Sequence, residues 1–210
     1  MGKIHPIILT IVFSVTAHKL VFASAQTAPE LQQLVTQLHD PATSDEASTQ
    51  LKALAGSNAD ARRHLANELP GLISKSSQDP SQYKVWINSV QLAGELKIEQ
   101  TIPVLVSLFD PVRYSRTAVS TITSRARLDD DPIAKALVRV GQPAIGPVSG
   151  ILEGKDRVQH TRLRAALVLY NMNSPEADAA LVHDLQTETD PRVRSYIEER
   201  LKGHPKTTVH

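Results

Sequence analysis

The sequence predicts an all-α protein built from repeated helical hairpins, and three observations carry that expectation. Aromatic residues make up only 4% of the 210-residue chain, while Ala and Leu are plentiful. That composition favours aliphatic contacts between helices over a β-sandwich. Apolar residues recur at i, i+3, i+4 and i+7 along most of the chain, the spacing of one helix face. Finally, short helices come in pairs, and each is too short to be stable unless a neighbour covers its apolar stripe.

The first 25 residues are set apart from the rest. Lys3 gives a positive start, Ile7 to Ala17 is an apolar run, and Ala23-Ser24-Ala25 places small residues where a signal peptidase reads. This pattern predicts a signal peptide over 1–25, cleaved before Gln26, and a periplasmic or secreted protein. His18 and Lys19 interrupt the apolar stretch, and a span needs about 20 apolar residues, so no stable membrane span is expected after cleavage. Cleavage removes Lys3 and Lys19 from 23 basic residues and none of the 22 acidic ones, leaving a net charge of −1. That balance offers no global field for nucleic acid, so none is expected as a partner. Without cysteine there is no lipid-modified N-terminus, disulfide or thiolate chemistry.

Residues 26–203 read as one helical array. Ala28 to Ala42 carries Leu31, Leu34, Val35 and Leu38 on one face and stops near Asp40-Pro41. Ser44 is expected to cap the next helix, with Leu51 and Leu54 inward and Gly56 at its end. Asn58 caps a third, whose stripe is Leu65, Leu69, Leu72 and Ile73, with a kink expected at Pro70. Asp79-Pro80 opens a longer helix holding Val85, Trp86, Val90, Leu92, Ala93 and Leu96. A short link at Lys97 to Glu99 leads to Ile102, Leu105, Val106 and Phe109. Residues 110–130 then break the rhythm and read as an insertion, in which Thr117 to Thr123 suits either a short strand or a frayed helix.

The pattern resumes at Asp131, a natural N-cap, with Pro132 at the first helical position and Ile133, Ala136, Leu137 and Val140 on one face. Gly141 ends that helix and Pro143 opens another, striped by Ile145, Val148, Ile151 and Leu152. Gly146 and Gly150 are expected to let helices approach closely. A helix from Asp156 to Tyr170 follows, then one opened by Ser174-Pro175 and a last one opened by Asp190-Pro191. Residues 204–210 are expected to form a disordered tail.

The last core residues of the first helix in each pair are Leu54, Leu96, Val140, Leu169 and Leu201, separated by 42, 44, 29 and 32 positions. Helix pairs at this spacing mean a solenoid in which each unit buries its stripe on its neighbours. Here the residues resemble the HEAT repeat family, especially its short variety, close to the repeats of phycobilisome lyases. Asp190-Pro191-Arg192-Val193-Arg194 leading to Leu201, and Arg162, Ala165, Ala166 and Leu169, follow its first-helix pattern. Thr101-Ile102-Pro103-Val104-Leu105 follows its second-helix pattern, and Ala144 to Val148 does so loosely. The resemblance spans about residues 44 to 202. It implies an α-solenoid of about four pairs plus capping helices, whose concave face binds other macromolecules. It also implies that the family's Asp and Arg cap helices and tie repeats together, which is structure and not chemistry.

No catalytic, cofactor or metal constellation stands out, and none is expected. His39, His64, His160, His183, His204 and His210 show no H-x-x-x-H or H-E-x-x-H spacing. His64 and His160 lie beside arginines and are expected to be solvated, and His183-Asp184 reads as a surface pair. There is no G-x-S-x-G elbow or phosphate loop, and Asp129 to Asp131 lacks the alternation of a calcium loop. The insertion is the feature that stands apart. Arg113, Arg116, Arg125 and Arg127 face no acid between Asp110 and Asp129, and Tyr114 adds an aromatic contact of the kind enriched at binding hot spots. These five residues are the candidate partner-binding set.

The expected function is therefore a non-enzymatic scaffold that binds a protein partner. One alternative is an enzyme or anion-binding protein in which Arg157, Arg162 and Arg164 clamp a substrate beside the insertion. Lyase or DNA-repair activity, known among wider HEAT-like relatives, fits poorly with export. A further alternative is a structural subunit of an envelope complex.

Overall fold

The computed structural model describes residues 29–109, 128 and 131–203. Residues 1–25, where a signal peptide is expected, nearly all of the expected insertion and residues 204–210 lie outside the described residues, as does the Thr117 to Thr123 stretch.

Ten helices pack against one another, and no strand occurs among the described residues. In chain order they are α1 (29–38), α2 (Ser44–Ser57), α3 (Ala59–Ser76), α4 (Tyr83–Glu95) and α5 (Ile102–Ser107). After the insertion come α6 (Pro132–Val140), α7 (Ile145–Glu153), α8 (Gln159–Met172), α9 (Pro175–Thr187) and α10 (Pro191–Gly203). Short 3-10 turns lead into α4, α5 and α7.

Side-chain caps set the starts of α3, α6, α9 and α10, because the first amides of a helix have no partner within it. Asn58 accepts from the amides of Asp60 and Ala61 at 2.9 and 3.1 Å, and Asp131 accepts from Ala134 at 3.0 Å. Ser174 and Asp190 do the same for Ala177 and Val193, each at 3.2 Å. Gly141, at φ +81°, turns the chain out of α6 in a conformation that a side chain would strain. Asn173, at φ +47°, ends α8 in the left-handed region that asparagine tolerates well.

Each stripe read from the sequence is largely buried, including Leu34, Val35 and Leu38 of α1, Leu65, Leu69, Leu72 and Ile73 of α3, and Val148, Ile151 and Leu152 of α7. The order of contacts is regular. α4 packs on both α2 and α6, and α8 packs on both α6 and α10. In the same way α5 touches α3 and α7, and α7 touches α9. Contacts of α3 with α4, α7 with α8 and α8 with α9 join the two sets. Helices of nine residues, such as α6 and α7, gain most of their stability from this packing and not from propensity.

Several local expectations need correction. Ser44 does not cap α2: it is the first helical residue, fully buried, and its Oγ accepts from Asn88 of α4 at 2.9 Å. Gly56 does not end α2, which runs on to Ser57. The helix expected from Asp156 begins instead at Gln159 and ends at Met172. Gly146 and Gly150 face open space, with no atom within 4 Å of a built β-carbon. The close approach falls at Gly94 of α4, where a β-carbon would sit 2.7 Å from the Cα of Ala136 in α6.

That difference gives a paired test. Gly94→Ala forces α4 and α6 apart and should destabilise the protein by about 1–3 kcal/mol, the usual cost of overpacking. Gly150→Ala fills open space in a helix interior and should be neutral or stabilising by up to ~1 kcal/mol. Urea unfolding followed by circular dichroism measures both, and equal effects would contradict the packing described.

Candidate functional site

The densest polar contacts among the described residues gather around the first two turns of α8. This helix has no fully exposed residue from Gln159 to Met172. It touches α6, α7, α9 and α10, so its side chains leave in several directions.

Among the described residues Arg162 is the most buried cation, at 4% exposure. Its Nε donates to the carbonyl of Leu152 near the end of α7 at 2.9 Å, and its Nη2 donates to the carboxylate of Glu188 just past α9. Lys155 reaches the same place from the α7–α8 turn, with Nζ 3.0 Å from Asp184 Oδ1 and 3.2 Å from Glu188 Oε2. The side chains of Asp184 and Glu188 are fully buried, whereas that of Lys155 is 39% exposed. Two carboxylates and two cations thus balance in a site that could not hold either sign alone. Glu188 Oε1 also accepts from the amide of Asp190 at 2.7 Å, which fixes the turn into α10.

Two residues along, Arg164 turns towards the base of the insertion. Its Nε donates to Asp131 Oδ2 at 2.7 Å and its Nη1 to the carbonyl of Phe109 at 2.6 Å. The guanidinium lies 4.4 Å from the centroid of the Phe109 ring, a cation–π distance. Gln159 donates to both carboxylate oxygens of Asp190 at 3.0 and 2.8 Å. That bond, followed by the amide of Val193, holds the Asp190 carboxyl below the usual carboxylate range. His160 is half-buried beside Arg164. Burial first, then the Arg164 charge, lowers its pKa, against an opposing pull from Asp131.

Arg113, Tyr114, Arg116, Arg125 and Arg127 lie outside the described residues, and so do Asp129 and Asp130. The three arginines of the alternative reading, Arg157, Arg162 and Arg164, lie in the α7–α8 turn and on α8. Arg162 and Arg164 are engaged by intramolecular partners, and only Arg157 stands exposed. Two histidine expectations also change. His64 Nε2 is buried and without a hydrogen-bond partner among the described residues, and His160 is half-buried. The surface pair fails as well, because Asp184 is fully buried.

The buried ionic cluster was not foreseen. Its signal is present in the sequence: Ala177, Leu181, Asp184 and Glu188 follow a helical stripe whose last two members are acids. A second feature, a cleft of about 380 Å³ between α1 and α2, is lined by Glu30, Glu46, Gln33, Gln37, Gln50 and the floor residue Leu34. Among the described residues no group of three or more His, Asp or Glu is placed to hold a metal. No described helix is long and apolar enough to cross a membrane. No protein-family profile matches the chain, and a search of curated proteins returns no match.

Removing Arg162 alone leaves Glu188 buried with fewer partners. Arg162→Met should therefore cost about 3–5 kcal/mol, whereas Arg157→Met should stay within about 0.5 kcal/mol. Chemical denaturation of the two variants measures the contrast, and similar losses would refute the assignment of Arg162 as a buried structural cation.

His160 yields a pH prediction with a definite sign. Unfolded, the imidazole protonates near pH 6.5; folded, it takes the proton only at lower pH. The unfolded chain then binds more protons, so this group lowers stability as pH falls through about 6.5. His160→Gln should flatten the decline in urea midpoint between about pH 6.5 and 5, and an unchanged slope would count against it.

Proposed function

We propose that the mature chain, residues 26–210, is an exported HEAT-like α-solenoid that acts as a non-enzymatic scaffold for a protein partner. The observation that carries this reading is the order of contacts: α2, α4, α6, α8 and α10 each meet the next, as do α3, α5, α7 and α9. Neighbour-to-neighbour packing is how repeat arrays build long binding surfaces, since each unit is held by the units beside it.

Polar ties follow the same order. Lys84 of α4 reaches Asp45 of α2 at 2.6 Å. Glu95 of α4 meets Lys52 of α2 at 3.0 Å and Arg139 of α6 at 3.2 Å. Pairs this exposed contribute about 0–1 kcal/mol each, so they set alignment more than stability. Export rests on the pattern of residues 1–25, and the binding role of Arg113, Tyr114, Arg116, Arg125 and Arg127 rests on their charge and position between α5 and α6. An insertion of about 20 residues within a compact domain is uncommon and is usually either a functional or a linker segment.

Affinity capture from an envelope extract tests the proposal. Residues 26–210 serve as bait beside a variant with Arg113, Arg116, Arg125 and Arg127 changed to Ser. The expected result is a partner held by the first bait and lost or weakened at least about tenfold with the second, roughly 1.4 kcal/mol, at equal helicity. Equal capture by both would remove the insertion from the site. No capture by a folded bait would remove the scaffold reading.

A further inference from the structure

Asp184, near the end of α9, and Glu188, just past it, both have fully buried side chains. Lys155 Nζ stands between them, 3.0 Å from Asp184 Oδ1 and 3.2 Å from Glu188 Oε2. Glu188 Oε2 is also the acceptor for Arg162, so Glu188 keeps a cation whatever becomes of Lys155. Asp184 is placed differently. Its Oδ2 is buried and has no hydrogen-bond partner among the described residues. A carboxylate oxygen left in that state is costly, because nothing replaces the water it has lost. The pairs Lys52–Glu95 and Lys84–Asp45 share none of this, since every side chain in them is at least 28% exposed.

We propose that Lys155, Asp184 and Glu188 form a self-modification site, in which Lys155 and Asp184 condense into an intramolecular amide. The step begins with a proton passing from Nζ to Asp184, which leaves a neutral amine beside a neutral carboxylic acid. A neutral pair is cheaper to keep buried than two ions, and Arg162 and Glu188 still balance each other. The Nζ lone pair then attacks Asp184 Cγ, which is one bond from the Oδ1 it already touches. Glu188 Oε2 takes a second proton from Nζ and passes it to the hydroxyl departing from Cγ. The C–O bond breaks, one water leaves, and the amide keeps the last Nζ hydrogen. Nothing is oxidised or reduced, and no co-reactant is consumed. Lys155 is 39% exposed, which gives the water a way out. Groups held in contact in this way react with effective molarities on the order of 10⁵–10⁸ M, enough to oppose the dilution of the reverse reaction by solvent. The product ties the α7–α8 turn to α9 across residues 29 positions apart. No cysteine is present to form a disulfide in that place, and a covalent loop of this kind stabilises mainly by constraining the unfolded chain. The inference is independent of what the protein binds.

Peptide mass mapping of the folded full chain tests this directly. Trypsin cuts after a free lysine but not after one whose Nζ is in an amide. The expected digest contains residues 140–157 joined to residues 165–192, lighter than the two peptides together by one water. Fragmentation of that species should place the link at Lys155 and Asp184. Lys155→Arg keeps the cation and should give no joined species. Glu188→Gln should reduce the joined fraction at least about tenfold after equal times, because the proton relay is lost. A wild-type digest holding residues 165–192 only as a free peptide would overturn the proposal. An undiminished joined fraction in Glu188→Gln would overturn the part assigned to Glu188. Should that variant fail to fold, the wild-type digest still decides whether the bond exists.

Discussion

The buried pair of Arg162 and Glu188 is the interaction on which the C-terminal half of this protein depends. Each partner would be costly to bury alone, since an ion leaving water loses several kcal/mol of hydration even after relaxation. Placed together, they join the end of α7, the start of α8 and the turn from α9 into α10. Lys155 brings the second positive charge that Asp184 requires. Such a cluster need not exceed a well-packed apolar core in stability, but it tolerates few alternative arrangements. It therefore fixes which helix lies beside which.

The same logic extends through the array at lower stakes. Aliphatic stripes provide the bulk of the stabilisation, because each short helix presents Leu, Ile, Val or Ala to its neighbours. Gly94 and Ala136 set the closest approach, and the exposed charges of Lys52, Glu95 and Arg139 run across three successive helices. Non-specific burial holds the helices, while a few directional contacts choose their order.

Much of the fold was legible in the sequence because caps and stripes are local signals. Asn58, Asp131, Ser174 and Asp190 cap as their types and positions indicate, and the buried faces of α3, α4, α6 and α7 follow helical spacing. What escaped depends on residues far apart in the chain. Ser44 has the composition of a cap but is buried against Asn88, 44 positions away. Gly146 and Gly150 look like close-packing glycines, yet only the neighbouring helix decides that, and the choice fell on Gly94. Asp184 reads as a surface acid beside His183 until Lys155 is brought to it from before α9. The candidate partner-binding residues rest on composition alone, since nothing local in Arg113 to Arg127 specifies a geometry.

The most direct measurement is amide hydrogen exchange across the whole chain in the wild type and in Glu188→Gln. If polar ties make adjacent helices one cooperative unit, the substitution lowers protection together at the end of α7, in α8, in α9 and at the start of α10. Protection in α2, α3 and α4 should stay at the wild-type level. Loss confined to the residues around position 188, or spread evenly from α1 to α10, would contradict that account.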